Sequence, residues 1–97
     1  MKASRSMDYS TEQLQRIHQL AKSLTPLTEI GALMDVPISP LRDDVATEGH
    51  PAHISFYKGM AEASLEIRER DMELAKAGSP AAADALRSYL RKMMNEL

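Results

Sequence analysis

The feature that most limits the fold of this 97-residue chain is the stretch from Ala52 to Ala77, in which Gly59 is the only residue that disfavours a helix. It predicts one helix of about 26 residues, roughly 39 Å long at 1.5 Å per residue. Apolar side chains fall on two lines of this helix, separated by roughly 140°. A helix with two apolar faces needs two packing partners. The lines are Phe56, Met60, Ala63, Ile67 and Leu74, and Ile54, Tyr57, Ala61, Leu65 and Met72.

The sequence Ala-Gly-Ser-Pro at 77–80 ends this helix and starts another. Gly78 can adopt a positive φ, Ser79 can cap the next helix, and Pro80 suits its first turn. So short a turn makes the two helices antiparallel, which predicts a helical hairpin over residues 51–97 that serves for self-association. The residues expected to form the self-association surface are Phe56, Met60, Ile67 and Leu74.

Residues 10–50 contain three helix-start sequences close together, and residues 1–9 before them are predicted to be a flexible arm. Each start places a capping hydroxyl before a helix, and two of them add a proline at the first helical position. Gly49 ends the last of the three short helices. The start sequences are Ser10 with Gln13 (a capping box), Thr25-Pro26 and Ser39-Pro40.

The second and third of these helices have the pattern of a helix-turn-helix. Gly31 is the small residue that lets the helices approach, and Asp35 stands where a left-handed turn residue is expected. Val36 fills the turn, while Leu41 and Val45 return apolar side chains to the core. The chain is therefore predicted to be all-α, with an N-terminal three-helix helix-turn-helix followed by a long antiparallel helical hairpin. A plain three-helix bundle fits the same spacing.

Composition excludes several classes of function. There is no cysteine, the net charge is −2, and no apolar run approaches the roughly 20 residues of a membrane span, so a cytoplasmic protein without membrane contact is expected. His50 and His53 are three residues apart, but Pro51 intervenes and no further ligand completes a metal site. No phosphate loop or nucleophile elbow is present, so neither an enzyme nor a bound cofactor is expected.

The chain resembles small terminase subunits and related prophage DNA-binding proteins. The resemblance rests on the Val-Pro-Ile-Ser turn at 36–39, on Gly59-Met60-Ala61, and on Ala-Gly-Ser-Pro-Ala at 77–81, and it covers roughly residues 12–94. It implies recognition of viral DNA for packaging, assembly of several copies, and a packaging partner protein. The third helix departs from the family pattern, because Asp43, Asp44 and Glu48 stand where basic residues are expected.

In a helix-turn-helix the third helix enters the major groove with its N-terminal residues leading. Arg42 can bind guanine through two hydrogen bonds or pair with a phosphate. Threonines at the start of the second helix suit a phosphate at its positive end, and basic residues of the arm add attraction. The expected contacts to double-stranded DNA are Ser39, Arg42, Thr28, Thr25, Lys2 and Arg5.

A protein of net charge −2 binds DNA weakly as a single copy, because neutralised phosphates supply most of the affinity. Binding is therefore expected to depend on oligomerisation. The alternative hypothesis is a helical protein–protein interaction module without a role in nucleic-acid binding. In that case the long helix binds a partner and the helix-turn-helix is scaffold.

Overall fold

The computed structural model describes residues 6–97, and within that range it contains five α-helices and no strand. The all-α prediction is confirmed. No helix in the described part of the chain combines the length and apolar character that crossing a membrane requires. The helices are α1 (Thr11–Lys22), α2 (Leu27–Met34), α3 (Ile38–Ala46), α4 (Pro51–Lys76) and α5 (Pro80–Asn95).

The chain divides into two compact units, Met1–Ala63 and Ser64–Leu97. The boundary lies inside α4 and not at residue 50, where the sequence predicts it. The difference has a physical reason: the first turns of α4 pack against α1 and the core beneath it, so they belong with the three short helices.

Two of the predicted helix starts are confirmed in detail. The Ser10 hydroxyl accepts from the Gln13 amide at 3.1 Å, and the Gln13 side chain accepts from the Ser10 amide at 2.8 Å. Ser79 accepts from the Ala82 amide at 3.2 Å at the start of α5. These caps satisfy amides that a first helical turn leaves without partners.

The starts of α2 and α3 differ from prediction. Pro26 and Pro37 stand at the cap positions, and neither helix has a side-chain cap. Ser39 consequently lies inside the first turn of α3, since this helix already begins at Ile38. Proline favours this outcome because its fixed φ suits the residue that leads into a helix.

The turn between α2 and α3 has the predicted geometry. Asp35 adopts the left-handed conformation, with φ 55° and ψ 42°, and Val36 is buried. A Cβ atom on Gly31 would lie 3.1 Å from the carbonyl oxygen of Val36 and 3.6 Å from Leu41. Gly31 therefore permits the close return of the chain that brings α3 against α2.

The core of the first unit lies among the three short helices and the start of α4. Ile17, Ile30 and Leu41 are completely buried at its centre. Val36, Val45 and Ala52 complete the cluster, and partly buried side chains surround it. The surrounding side chains are Met7, Tyr9, Leu14, Leu20, Leu27, Met34, Ile38 and Phe56.

The face of α4 that packs in this unit consists of small residues. Ala52, Gly59 and Ala63 are buried, whereas Met60, which the sequence places on the packing line, is 40% exposed. A Cβ atom on Gly59 would collide with the carbonyl oxygen of His18 and lie 3.1 Å from the Cβ of Ala21. Gly59 thus permits the close approach of α1 and α4, whereas the sequence alone marks it only as a residue that weakens the helix.

The second unit has little interior. Within residues 64–97, all of which the structure describes, Ala82 is the single buried side chain. The Arg68 guanidinium on α4 lies 5.9 Å from the ring centroid of Tyr89 on α5. Large apolar side chains remain exposed along both helices: Leu65, Ile67, Met72, Leu74, Leu90, Met93, Met94 and Leu97.

We expect Gly59→Ala to lower the free energy of unfolding. Alanine favours a helix interior by about 1 kcal/mol over glycine. The added methyl, however, meets the α1 backbone, and overpacking of this kind costs about 1–3 kcal/mol. Thermal and urea unfolding followed by circular dichroism measures the balance, and a melting temperature equal to or above that of the parent protein would contradict the close approach.

Candidate nucleic-acid interface

The outward face of α3 carries the two residues expected to contact bases. Ser39 and Arg42 are exposed and three positions apart, so they lie on one side of the helix. Leu41 and Val45 are buried on the opposite side and anchor α3 to the core. The structure thus brings Ser39 and Arg42 together on a surface, and Asp43 is exposed beside them.

The start of α2 holds the residues expected to contact phosphates. Thr28 is exposed in the first turn, while Thr25 is half-buried ahead of Pro26. No side chain caps α2, and the exposed Glu29 stands beside Thr28 in the same first turn. Lys2 and Arg5, the expected arm contacts, lie outside the described residues.

Asp44 lies on the buried side of α3 and is not part of the helix's outer surface. The residue is 1% exposed, and its side chain accepts hydrogen bonds from the Met7 amide at 3.0 Å and the Tyr9 hydroxyl at 2.8 Å. Burial, together with the hydrogen bond to Asp44 and its negative charge, raises the pKa of Tyr9 well above its usual range. One of the three acidic residues that oppose DNA binding in the sequence is therefore removed from the face.

The same cluster holds residues 6–9 in place. The Ser6 hydroxyl lies 3.0 Å from Nε2 of His50, and Oδ1 of Asp44 lies 3.7 Å from the same nitrogen. Met7 and Tyr9 pack against the core. The predicted flexible arm is wrong for residues 6–9, because a buried carboxylate supplies them with hydrogen-bond partners.

Serine, histidine and aspartate stand together here, yet they do not form a hydrolytic relay. In such a relay the carboxylate and the hydroxyl bind opposite nitrogens of the imidazole. Here Ser6 and Asp44 both lie near Nε2 of His50, and Nδ1 accepts from the Ala52 amide at 3.0 Å. His50 therefore caps α4, which is a structural role.

A second polar cluster joins α1 to α4. Oε1 of Glu62 lies 2.7 Å from Nε2 of His18 and 3.9 Å from Nζ of Lys22. The hydrogen bond from His18 lowers the pKa of Glu62 most, and the charges of His18, Lys22 and Lys58 act in the same direction against a smaller effect of desolvation. The cluster lies beside the close contact at Gly59.

The histidines do not gather as metal ligands. Among residues 6–97, no group of three or more histidine and carboxylate side chains could hold a metal ion. His53 donates through Nδ1 to the carbonyl oxygen of Val45 at 2.7 Å, and its ring lies 4.4 Å from that of Tyr57. Like His50, it links the end of α3 to α4.

The buried role of Asp44 was not predicted from the sequence, although the spacing of residues in α3 indicates it. Asp44 lies three positions after Leu41 and one before Val45, so it falls on the buried side of α3. A carboxylate on an apolar face requires hydrogen-bond partners, and the Tyr9 hydroxyl is a donor that could supply one. Pairing the two across 35 residues requires the tertiary structure.

No protein-family model matches the chain, and no curated protein or solved structure matches it either.

We expect Asp44→Ala to destabilise the first unit. The change leaves the Met7 amide and the Tyr9 hydroxyl without their acceptor, which costs about 2–3 kcal/mol in a site this buried. Asp43→Ala is the matched control, since its side chain is exposed and should change stability by less than about 0.5 kcal/mol. Urea unfolding compares the two, and equal effects would show that Asp44 does not anchor the segment.

Glu62→Gln should make stability less sensitive to acid. Because its pKa is lowered in the folded protein, Glu62 adds stability above the ordinary value of 4.5, and that stability is lost as the pH falls through the folded pKa. The variant lacks this contribution at neutral pH and so loses less below it. Melting temperatures measured from pH 7 to pH 3 test this, with Glu48→Gln as an exposed control that should follow the parent curve.

Proposed function

We propose that this protein binds double-stranded DNA through α3 and associates with further copies of itself through the α4–α5 hairpin. By its resemblance to small terminase subunits, the DNA is viral and the role is recognition for packaging with a partner protein. The observation that carries the DNA-binding proposal is the exposed pair of Ser39 and Arg42 on a helix whose opposite side is anchored in the core.

The local geometry of the turn supports this proposal. Asp35 in the left-handed conformation and the close approach at Gly31 join two short helices through the three residues 35–37, the turn length of a helix-turn-helix. The amides at the start of α2, without a side-chain cap, add a place for a phosphate beside the exposed Thr28.

The position of Asp44 removes part of the electrostatic objection to DNA. A buried carboxylate with two hydrogen bonds does not face an approaching duplex as Asp43 does. Asp43 and Glu48 remain exposed, and Arg42 is the basic residue of α3. The face is therefore mixed in charge, which fits weak binding by one copy.

Self-association would supply the missing affinity. The first unit carries eight acidic and six basic side chains, so a single copy gains little from general attraction to phosphate. Two linked copies bind adjacent sites with an effective concentration set by their connection. Of the residues expected to join copies, Phe56 packs against the first core, while Met60, Ile67 and Leu74 are exposed.

The exposure of Asp43 and Glu48 favours a second candidate function. A surface with two carboxylates and one guanidinium also suits a basic segment of another protein. In that case α3 is a docking helix of a protein–protein interaction module and DNA is not its ligand.

We expect Arg42→Ala to weaken binding to duplex DNA about tenfold, the loss of one bidentate or phosphate contact, and to reduce the slope of log affinity against log salt by about 1. Fluorescence anisotropy with a labelled duplex over a range of salt measures both. Arg87→Ala is the matched control, because Arg87 is exposed in the second unit and pairs with Asp84 at 2.6 Å.

The same titration separates the two candidate functions. No detectable binding of the parent protein to DNA at about 50 mM salt would end the DNA proposal and leave the protein partner. Equal losses for the Arg42 and Arg87 variants would show that any attraction is general and that α3 is not the contact surface.

A further inference from the structure

The second unit (Ser64–Leu97) is too thin to bury its own apolar side chains. It has 34 residues and one buried side chain, Ala82. Units below about 40 residues usually need a disulfide, a metal or oligomerisation for stability. The chain has no cysteine, and no metal-binding group is present among the described residues.

The half-buried positions of α4 show which side faces α5. Within the second unit these are Ser64, Arg68, Asp71 and Ala75, which lie on one line of the helix. Arg68 contacts the ring of Tyr89, as this orientation requires. At about 100° per residue, exposed apolar side chains lie roughly 80° to each side of that line. They are Leu65 and Met72 on one side, and Ile67 and Leu74 on the other.

On α5, the side that faces α4 contains Ala82, Leu86 and Tyr89. Around the axis of α5, Leu90 and Met94 lie roughly 70° and 110° from the line that faces α4. Around the axis of α4, Leu65 and Met72 are displaced in the same rotational direction from the line that faces α5. For two antiparallel right-handed helices, equal displacement puts side chains on the same face of the hairpin. The opposite face of α5 carries polar residues, Ser88 and Lys92.

The hairpin therefore has one face to which both helices contribute large apolar side chains and another where only α4 does. We define the shared apolar face as Leu65, Met72, Leu90 and Met94, which are 47%, 50%, 51% and 59% exposed. Ile67 and Leu74, the residues that the sequence selects for self-association, lie on the other face beside the polar side of α5.

We infer that the shared apolar face docks against the same face of a second copy, so that two hairpins form a four-helix bundle around a twofold axis. This deepens the self-association part of the proposed function and does not depend on DNA binding. An isologous contact of this kind uses one self-complementary patch twice. Four-helix bundles bury one apolar face from each of their helices, which is what each hairpin offers.

Charge favours a second copy over a nucleic acid or an anionic membrane as the occupant. Residues 64–97 carry six acidic and six basic side chains, a net charge of zero. Two such hairpins do not repel each other, and opposite charges can pair at the rim of the contact. A nucleic acid or an anionic membrane would favour a basic surface instead.

Sedimentation of the full chain tests the inference with paired variants. We expect the parent protein to sediment as a dimer, Leu65→Glu with Leu90→Glu to sediment as a monomer, and Ile67→Glu with Leu74→Glu to remain a dimer. Circular dichroism checks that each variant stays helical. Dissociation of the Ile67 and Leu74 variant alone, or dimers for both variants, would overturn the choice of face.

A tryptophan reporter gives a second test that introduces no charge into the apolar face. Because the chain has no tryptophan, one introduced tryptophan supplies the whole signal. Emission from a Leu90→Trp variant should shift to the red on dilution as the dimer dissociates, whereas Ser88→Trp, exposed on the same helix, should not change. This reporter decides the face if both charged variants dissociate. A Leu90→Trp emission as red as that of Ser88→Trp at every concentration would overturn the inference.

The outcomes also separate this inference from the proposed function. A parent dimer whose contact lies elsewhere leaves the proposed self-association standing and removes only the shared apolar face. A parent protein that is monomeric at every concentration removes both. The DNA titration at low salt is measured on the same samples and stands or falls by itself.

Discussion

The buried carboxylate of Asp44 is the interaction on which the arrangement of the first unit depends. A charge taken out of water must be compensated by hydrogen bonds or by an opposite charge. Asp44 obtains two hydrogen bonds from residues 7 and 9, with the His50 ring close by. It thereby joins the start of the chain, α3 and the beginning of α4. Because those partners come from distant parts of the sequence, α3 is held at its inner side while its outer side stays open.

The contact between α1 and α4 depends on small residues and not on a buried charge. Gly59 removes a side chain where two backbones meet, and buried Ala63 continues the same small-residue face. The hydrogen-bonded pair of His18 and Glu62 lies beside this contact and links the two helices through polar groups. Close packing of small residues and a satisfied polar pair together leave the larger apolar side chains of α4, such as Met60, directed away from the first core.

The two units offer different kinds of surface for the proposed function. The first encloses a core and presents α3 on a finished surface, so a ligand there binds to a rigid support. The second leaves large apolar side chains exposed on both helices, for example Leu74 on α4 and Leu90 on α5. In the proposed function, DNA recognition by the first unit and association through the second are coupled through affinity, since a single copy with a mixed-charge face binds weakly.

Local chemistry in the sequence determined where the helices begin and end, because caps and left-handed turns depend on neighbouring residues. The capping box at Ser10, the turn at Asp35 and the cap at Ser79 follow from it. Tertiary structure decided what each helix face meets. Apolar periodicity favoured Met60, Ile67 and Leu74, but the backbone of α1 selected Gly59 for contact, and these three larger side chains remain exposed. Contacts between distant segments set these choices, and periodicity along one helix contains no information about its neighbour.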